Sequence, residues 1–179
     1  EKVVLPPFRP RRTEEEIRKQ MPWATQGKLA GHKRNVITSL ELDPAIMEEN
    51  NIRFQAKYRK IEEAEVRYEE IGCENADYLM IAFGSMARIC LKTQEMALAE
   101  GIKVGVLRPI TLWPFPSKII AEYANKVKGM ISVELNAGQM VEDIRLAVNG
   151  KVKVEHFGRL GGIVPTPDEV LNALKQKLM

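Results

Sequence analysis

The fold of this chain is decided by residues 78–107, which read YLMIAFGSMARICLKTQEMALAEGIKVGVL. Residues 78–83 form a continuous apolar run, which is typical of a buried strand. Apolar side chains then recur at helical spacing over residues 87–100, and Gly101 ends that helix. Residues 102–107 form a second strand-like run. Because parallel neighbouring strands need a crossover helix, this succession predicts parallel pairing.

The alternation of strand and helix continues to the end of the chain. Further strands are predicted at residues 130–134 and 151–157, and further helices at residues 117–128, 139–148 and 167–178. Thr166 precedes Pro167 and is followed three residues later by Glu169, which is the sequence of a capping box. Four strands alternating with four helices predict an α/β fold, in which an open, mainly parallel sheet is flanked by helices.

The part of the chain before this alternation divides in two. Residues 1–50 carry five prolines and isolated apolar residues, which is typical of an extended arm lying over a neighbouring domain. Residues 51–72 predict one long amphipathic helix, because apolar side chains recur at three- and four-residue steps among Glu, Lys and Arg, and Gly72 ends the pattern. The α/β domain is then expected at residues 73–179.

The composition excludes several classes of protein. A length of 179 residues suits one domain of ordinary size with an arm. The 27 Lys and Arg against 24 Asp and Glu give a net charge of +3 with both signs interspersed, so no nucleic-acid partner is indicated. No apolar run approaches the roughly 20 residues that span a bilayer, so we expect a cytoplasmic protein without a membrane partner. The start at Glu1, without methionine, suggests a piece of a longer protein.

The sequence offers little acid–base, nucleophilic or metal chemistry. Cys73 and Cys90 lack the spacing and the histidine neighbours of a zinc or iron–sulfur site, so two buried or idle thiols are expected. His32 lies in the arm, and His156 is expected to be packed or hydrogen-bonded within the last strand. No nucleophile lies beside either histidine. We therefore predict no catalytic, cofactor-binding or metal-binding residue in this chain.

Polar side chains follow the predicted strands at the edge where ligands collect in an open parallel sheet. Ser85 either caps its own helix or, together with Arg88, holds an anion at the helix N-terminus. Asn136 and Gln139 either cap the next helix or orient a neutral polar group. Arg159 lies in a glycine-rich turn, where it is available for an ion pair or an anion. All of these are candidate ligand or partner contacts.

Residues 108–116 read RPITLWPFP and follow the second predicted strand as a stiff loop. Each proline fixes its own φ and restricts the residue before it, so the aromatic side chains are presented from a nearly rigid arc. Trp113 and Phe115 either close the core beneath this proline loop or contact another domain. Together with Arg108 and Thr111, they complete the set of candidate contacts.

Several separate segments agree with one known family. The agreement lies in residues 35–40, 58–68, 101–116, 138–143 and 158–167. The chain resembles the C-terminal part of the α subunit of 2-oxoacid:ferredoxin oxidoreductases, and most closely the branched-chain (2-oxoisovalerate) type. The resemblance extends from about Leu5 to the end of the chain, so it is far more specific than any single motif.

The resemblance implies an α/β domain like the C-terminal domain of transketolase. It also implies a complete enzyme that converts a 2-oxoacid, coenzyme A and oxidised ferredoxin to acyl-CoA, CO2 and reduced ferredoxin. That enzyme uses thiamine diphosphate and iron–sulfur clusters, which belong to other segments or subunits, so no cofactor is assigned to this chain. The implied partners are the N-terminal thiamine-site domain of the same subunit, the β and other subunits, and ferredoxin as electron acceptor.

Two functional hypotheses follow. The first is a structural and assembly domain that braces the thiamine site of such an oxidoreductase and is inactive alone. The rival is a self-contained anion-binding module, in which a phosphate or carboxylate is held by Ser85, Arg88, Asn136 and Arg159.

Overall fold

A computed structural model describes residues 4–24, 33–36 and 38–179. The chain divides into two compact units, Glu1–Glu48 and Glu49–Met179. His32 and parts of the predicted arm lie outside the described residues. Within the arm, helix α1 (Glu14–Gln20) begins after Thr13. The Thr13 hydroxyl accepts a hydrogen bond from the Glu16 amide, as part of a capping box. The described part of the arm is therefore not extended throughout.

The long helix is present, but its bounds differ from those predicted at 51–72. Helix α2 spans Pro44–Ala64, and none of its residues is buried. The chain then forms strand β1 (Tyr68–Ile71) instead of continuing the helix. Tyr68 and Ile71 fit the helical period of the sequence, but pairing with the edge of the sheet overrides that local preference. Gly72 therefore ends a strand, with φ at +63°.

The sheet has five strands in the order β1-β3-β2-β4-β5. The remaining strands are β2 (Tyr78–Ile81), β3 (Val104–Pro109), β4 (Gly129–Glu134) and β5 (Lys153–Gly158). Strand β2 pairs in parallel with β3 and β4, and β4 pairs in parallel with β5. Strand β1 adds an antiparallel edge to β3. The predicted open, mainly parallel sheet is confirmed, with one strand more than the alternation indicated.

Helices cover both faces of this sheet. They are α3 (Gly84–Ala99), α4 (Ser117–Tyr123), α5 (Met140–Val148) and α6 (Pro167–Leu178). Helices α3 and α6 pack together over one face, and α4 and α5 pack together over the other. Successive residues of β2 enter opposite cores, since Met80 packs with α3 and α6 whereas Leu79 packs with α4 and α5. In the described part of the chain, no helix is long and apolar enough to cross a membrane.

Both cysteines are buried thiols, as expected, and they lie on opposite faces of the sheet. Cys90 belongs to α3 and lies in the core that α3 and α6 form with the sheet, and Cys73 lies in the core under α4 and α5. Burial raises the pKa of Cys73 to about 11 and that of Cys90 to about 12. Cys73 also donates a hydrogen bond from Sγ to the Val106 carbonyl at 3.3 Å. Both thiols are therefore protonated and shielded in the folded chain.

The helix ends differ in how their amides are satisfied. The capping box at α6 is confirmed, because Thr166 Oγ1 accepts the Glu169 amide and the Glu169 carboxylate accepts the Thr166 amide. The expectation that Ser85 caps α3 is wrong. Phe83 occupies that N-cap position and the cap has no side-chain hydrogen bond, so Ser85 lies inside the helix.

This difference gives a paired test of helix capping. Thr166→Ala is expected to lower the free energy of unfolding by about 1 kcal/mol, because the Glu169 amide loses its acceptor. Ser85→Ala is the matched control and is expected to change it by less than about 0.5 kcal/mol. Urea denaturation followed by circular dichroism measures both. Equal losses of stability in the two variants would contradict the finding that Thr166 caps its helix and Ser85 does not.

Candidate functional site

A crevice opens at the carboxyl ends of β2 and β4, the two strands between which the direction of chain winding reverses. Its volume is about 150 Å³. Phe83 follows β2 and Glu134 ends β4, so the two central strands supply opposite walls. The full lining is Phe83, Leu112, Phe115, Glu134, Asn136, Gln139, Met140 and Asp143.

Glu134 is the central polar residue of this crevice, although only 1% of it is exposed. Its Oε2 atom accepts the backbone amides of Gln139 and Met140 at 3.1 and 2.8 Å. Its Oε1 atom accepts the Val141 amide at 3.0 Å and the Ser132 hydroxyl at 2.7 Å. The carboxylate therefore caps α5 from inside the sheet, in place of the N-cap side chain that this helix lacks.

The charge of Glu134 follows from these contacts. Burial alone would raise the pKa of the Glu134 carboxyl, but hydrogen bonds from Ser132, Met140, Gln139 and Asn136 outweigh burial and lower it. The ionised carboxylate also lies at the positive end of α5. The anion position at this helix N-terminus is thus filled by the chain's own side chain.

His156 lies beside this carboxylate on β5. Its Nε2 atom is 3.8 Å from Glu134 Oε1 and makes no hydrogen bond to any protein atom of the described residues. The ring packs against Gly158, which ends β5, and against Gly138, which follows β4. A Cβ atom on Gly158 would lie 2.6 Å from His156 Cε1, and one on Gly138 would lie 3.6 Å from His156 Nε2. The expectation of a packed histidine is confirmed.

Three of the candidate contacts meet in the crevice, namely Phe115, Asn136 and Gln139. Asn136 Oδ1 accepts the Gly138 amide at 2.7 Å, which forms the turn between β4 and α5. Gln139 is exposed and occupies the N-cap position of α5 without a side-chain cap. Neither amide side chain therefore caps the helix, since Glu134 does so.

The charged candidates take their contacts elsewhere. Arg108 pairs with Glu69 across β3 and β1 at 2.8 Å, and Arg159 pairs with Glu169 of α6 at 2.8 Å. Ser85 is exposed on α3, as is Arg88, and neither lines the crevice. The residues of the proposed anion-binding module therefore do not converge on the crevice, and the arginine that follows β5 is already ion-paired.

The two aromatic residues of the proline loop differ in their burial. Thr111 fixes the loop, since its Oγ1 accepts the Arg67 amide at 3.0 Å and donates to the Pro114 carbonyl at 2.9 Å. Phe115 is half-buried against the core under α4 and α5. Trp113 is 54% exposed and packs edge to face on Tyr58 of α2, with 5.6 Å between ring centroids. Phe115 thus helps to close the core, whereas Trp113 remains at the surface.

Sequence reasoning missed most of the crevice. The residues missed are Phe83, Leu112, Glu134, Met140 and Asp143. One signal was present, because Glu134 ends an apolar strand and precedes a helix with no Ser, Thr, Asp or Asn next to its first residue. A carboxylate in that position is a natural acceptor for the unsatisfied amides of the helix.

Neither the two cysteines nor the crevice fits the cofactors that the resemblance implies for the complete enzyme. An iron–sulfur cluster needs several thiolates together, and Cys73 and Cys90 are protonated on opposite faces of the sheet. No group of three or more His, Cys, Asp or Glu among the described residues is arranged to hold a metal ion. Thiamine diphosphate and coenzyme A carry phosphates, whereas the crevice carries the carboxylates of Glu134 and Asp143.

Comparison with known proteins agrees with this fold. The chain is 45% identical over 161 residues to the ketoisovalerate oxidoreductase subunit VorB of Methanothermobacter thermautotrophicus, which covers 90% of this chain and 45% of that subunit. The structure matches a 2-oxoglutarate:ferredoxin oxidoreductase from Magnetococcus marinus with a TM-score of 0.66 and 26% identity, over 78% of this chain and 24% of that one.

A split-gene transketolase matches in fold alone, with a TM-score of 0.54 and 20% identity over 63% of this chain and 41% of that one. This likeness confirms the transketolase-like architecture. The chain spans less than half the length of the VorB subunit that it matches. Residues 76–170, just over half of the chain, match the family model described as pyruvate:ferredoxin oxidoreductase core domain II. The chain belongs to that family.

Proposed function

We propose that this chain is a structural and assembly domain of a thiamine-dependent 2-oxoacid:ferredoxin oxidoreductase, specific for branched-chain 2-oxoacids. The complete enzyme converts the 2-oxoacid, coenzyme A and oxidised ferredoxin to acyl-CoA, CO2 and reduced ferredoxin in the cytoplasm. The observation that carries the proposal is the 45% identity to a ketoisovalerate oxidoreductase subunit over 90% of the chain. The thiamine diphosphate and the iron–sulfur clusters belong to other parts of the enzyme.

The described surface supports an assembly role. Four exposed side chains, three of them aromatic, form a surface that we call the exposed aromatic surface. They are Phe54 and Tyr58 of α2 and Leu112 and Trp113 of the proline loop, and they are 41% to 54% exposed. Side chains of this size are costly to leave in water, and aromatic residues are enriched at protein interfaces. The partners are the N-terminal thiamine-site domain of the same subunit and the β and other subunits, with ferredoxin as the electron acceptor of the complex.

The activity is tested on the complete gene product, expressed together with its partner subunits. We expect anaerobic, coenzyme A-dependent reduction of ferredoxin with 2-oxoisovalerate, at a higher kcat/KM than with 2-oxoglutarate or pyruvate. The 179-residue chain alone is the control and is expected to have no activity. A preference for 2-oxoglutarate or pyruvate would overturn the branched-chain assignment. Complete inactivity of the assembled complex with all three would overturn the proposed function.

The aromatic surface is tested by a single substitution in the same complex. Trp113→Ala is expected to weaken the association of the subunits by about tenfold or more, because tryptophan is the residue that most often dominates an interface. Leu146→Ala is the matched control, since Leu146 is an exposed apolar residue of α5 outside this surface, and is expected to have less than twofold effect. Sedimentation velocity at graded concentrations measures both, and unchanged association of the Trp113 variant would contradict this interface.

A further inference from the structure

The crevice is smaller than the pockets that usually hold drug-sized ligands, and it has room for one long side chain. Pockets that hold small-molecule ligands have volumes of about 300–1,000 Å³. The crevice has a volume of about 150 Å³. It therefore suits a single long side chain reaching in from the surface of another protein.

The residues that line the crevice indicate which kind of side chain it can hold. Phe83, Phe115 and Met140 form apolar walls, and Asp143 lies exposed at the edge. Within the described residues, Asp143 takes part in no ion pair, and no lysine or arginine lines the crevice. An apolar stem with a cationic end complements this arrangement. Arginine fits better than lysine, because its planar guanidinium stacks on aromatic faces and pairs with carboxylates through two hydrogen bonds.

The same crevice disfavours an anion. The amides of Gln139, Met140 and Val141, which would otherwise bind an anion at the start of α5, already donate to Glu134. A phosphate or carboxylate entering the crevice would approach that buried charge and the Asp143 carboxylate without a cation to compensate.

The crevice also adjoins the exposed aromatic surface. Leu112 belongs to both, since it lines the crevice and precedes Trp113 in the proline loop. A protein segment that covers Trp113 therefore passes the mouth of the crevice. This continuity indicates that both features contact one partner.

We propose that the crevice receives one arginine side chain of a partner subunit, from a segment whose neighbouring residues are apolar and cover Leu112 and Trp113. The arginine stem packs between Phe83 and Phe115, and its guanidinium pairs with Asp143. This inference rests on the proposed assembly role and adds the chemistry of the partner.

The first test places the photo-cross-linker benzoylphenylalanine at position 139 of the complete subunit, assembled with its partner subunits. Gln139 lines the crevice and its side chain is exposed, so the probe reports what lies there. Mass spectrometry of the cross-linked peptides is expected to identify one partner segment that contains an arginine flanked by apolar residues. A cross-linked partner segment without arginine, or no cross-link to a partner subunit, would overturn the proposal.

The second test reverses the charge at the mouth of the crevice. Asp143→Arg is expected to weaken subunit association by about tenfold or more, and replacing the cross-linked partner arginine with aspartate is expected to restore most of the loss. Glu142→Arg is the matched control, because Glu142 is an exposed carboxylate of the same helical turn that does not line the crevice, and is expected to act less than twofold. Equal effects at both positions, or no restoration, would overturn the arginine assignment.

These results are separable from the proposed function. Oxidation of 2-oxoisovalerate by the unmodified complex tests the function alone. An active complex whose association is insensitive to Asp143→Arg leaves the function intact and removes only the crevice proposal.

Discussion

Glu134→Ala is expected to lower the free energy of unfolding by about 3 kcal/mol at pH 7. The substitution leaves the amides of Gln139, Met140 and Val141 and the Ser132 hydroxyl without their acceptor at a buried position. Partial entry of water through the crevice keeps the loss below the sum of the separate hydrogen bonds. Urea denaturation monitored by circular dichroism measures the change.

The pH dependence of this loss of stability tests whether the negative charge of Glu134 causes it. Because the pKa of Glu134 is lowered from 4.5 in the folded chain, its contribution is fully present above the unfolded pKa and is lost as the pH falls through the folded pKa. The gap in stability between the wild type and Glu134→Ala should therefore narrow below pH 4.5. Glu142→Ala removes an exposed carboxylate from the same helix and is expected to cost less than about 0.5 kcal/mol. A gap of the same size at pH 3 and pH 7 would contradict this account.

Gly105→Ala is expected to lower the free energy of unfolding by about 3 kcal/mol, through overpacking on the buried strand β3. A Cβ atom at position 105 would lie 2.7 Å from Cys73 Cα and 2.9 Å from both Cys73 Sγ and Leu79 Cδ2. Cys73 Cα belongs to the backbone just after β1, so the strain cannot be relieved by rotating a side chain. The same denaturation experiment measures the loss.

Gly129→Ala provides the matched control for this substitution. Its Cβ atom would also meet a close neighbour, Leu178 Cδ2 at 2.9 Å. That neighbour is the end of a flexible side chain in the last turn of α6, which can move aside. We expect a loss of less than about 1 kcal/mol. A loss at Gly129 as large as at Gly105 would show that crowding alone, and not a rigid backbone neighbour, sets the effect.

The sequence predicted the parallel sheet because its signals are local. Apolar runs, helical spacing and the glycine after each helix lie within short stretches, as at residues 78–107. Strand β1 could not be predicted in this way. Tyr68 and Ile71 satisfy a helical period equally well, and only the uncovered edge of β3, which is distant in sequence, makes them a strand.

The candidate site was predicted only in part for a related reason. The rule that ligands collect at strand ends selected Asn136 and Gln139, and both line the crevice. The burial of Glu134, in contrast, depends on amides that converge only when α5 starts above β4. Arg159 was expected to take either an ion pair or an anion, and the structure shows the ion pair, with Glu169 in the first turn of α6. Such pairings between elements leave no periodic trace in a sequence.

The position of the two thiols makes the unfolding of each helical layer separately observable. Cys90 lies on the buried face of α3, in the core that α3 and α6 cover, whereas Cys73 lies in the core that α4 and α5 cover. Since alkylating reagents attack only an accessible thiolate, each cysteine reacts when its own layer opens. The ratio of the two labelling rates in one native sample therefore distinguishes a cooperative opening of the whole sheet from the detachment of a single layer.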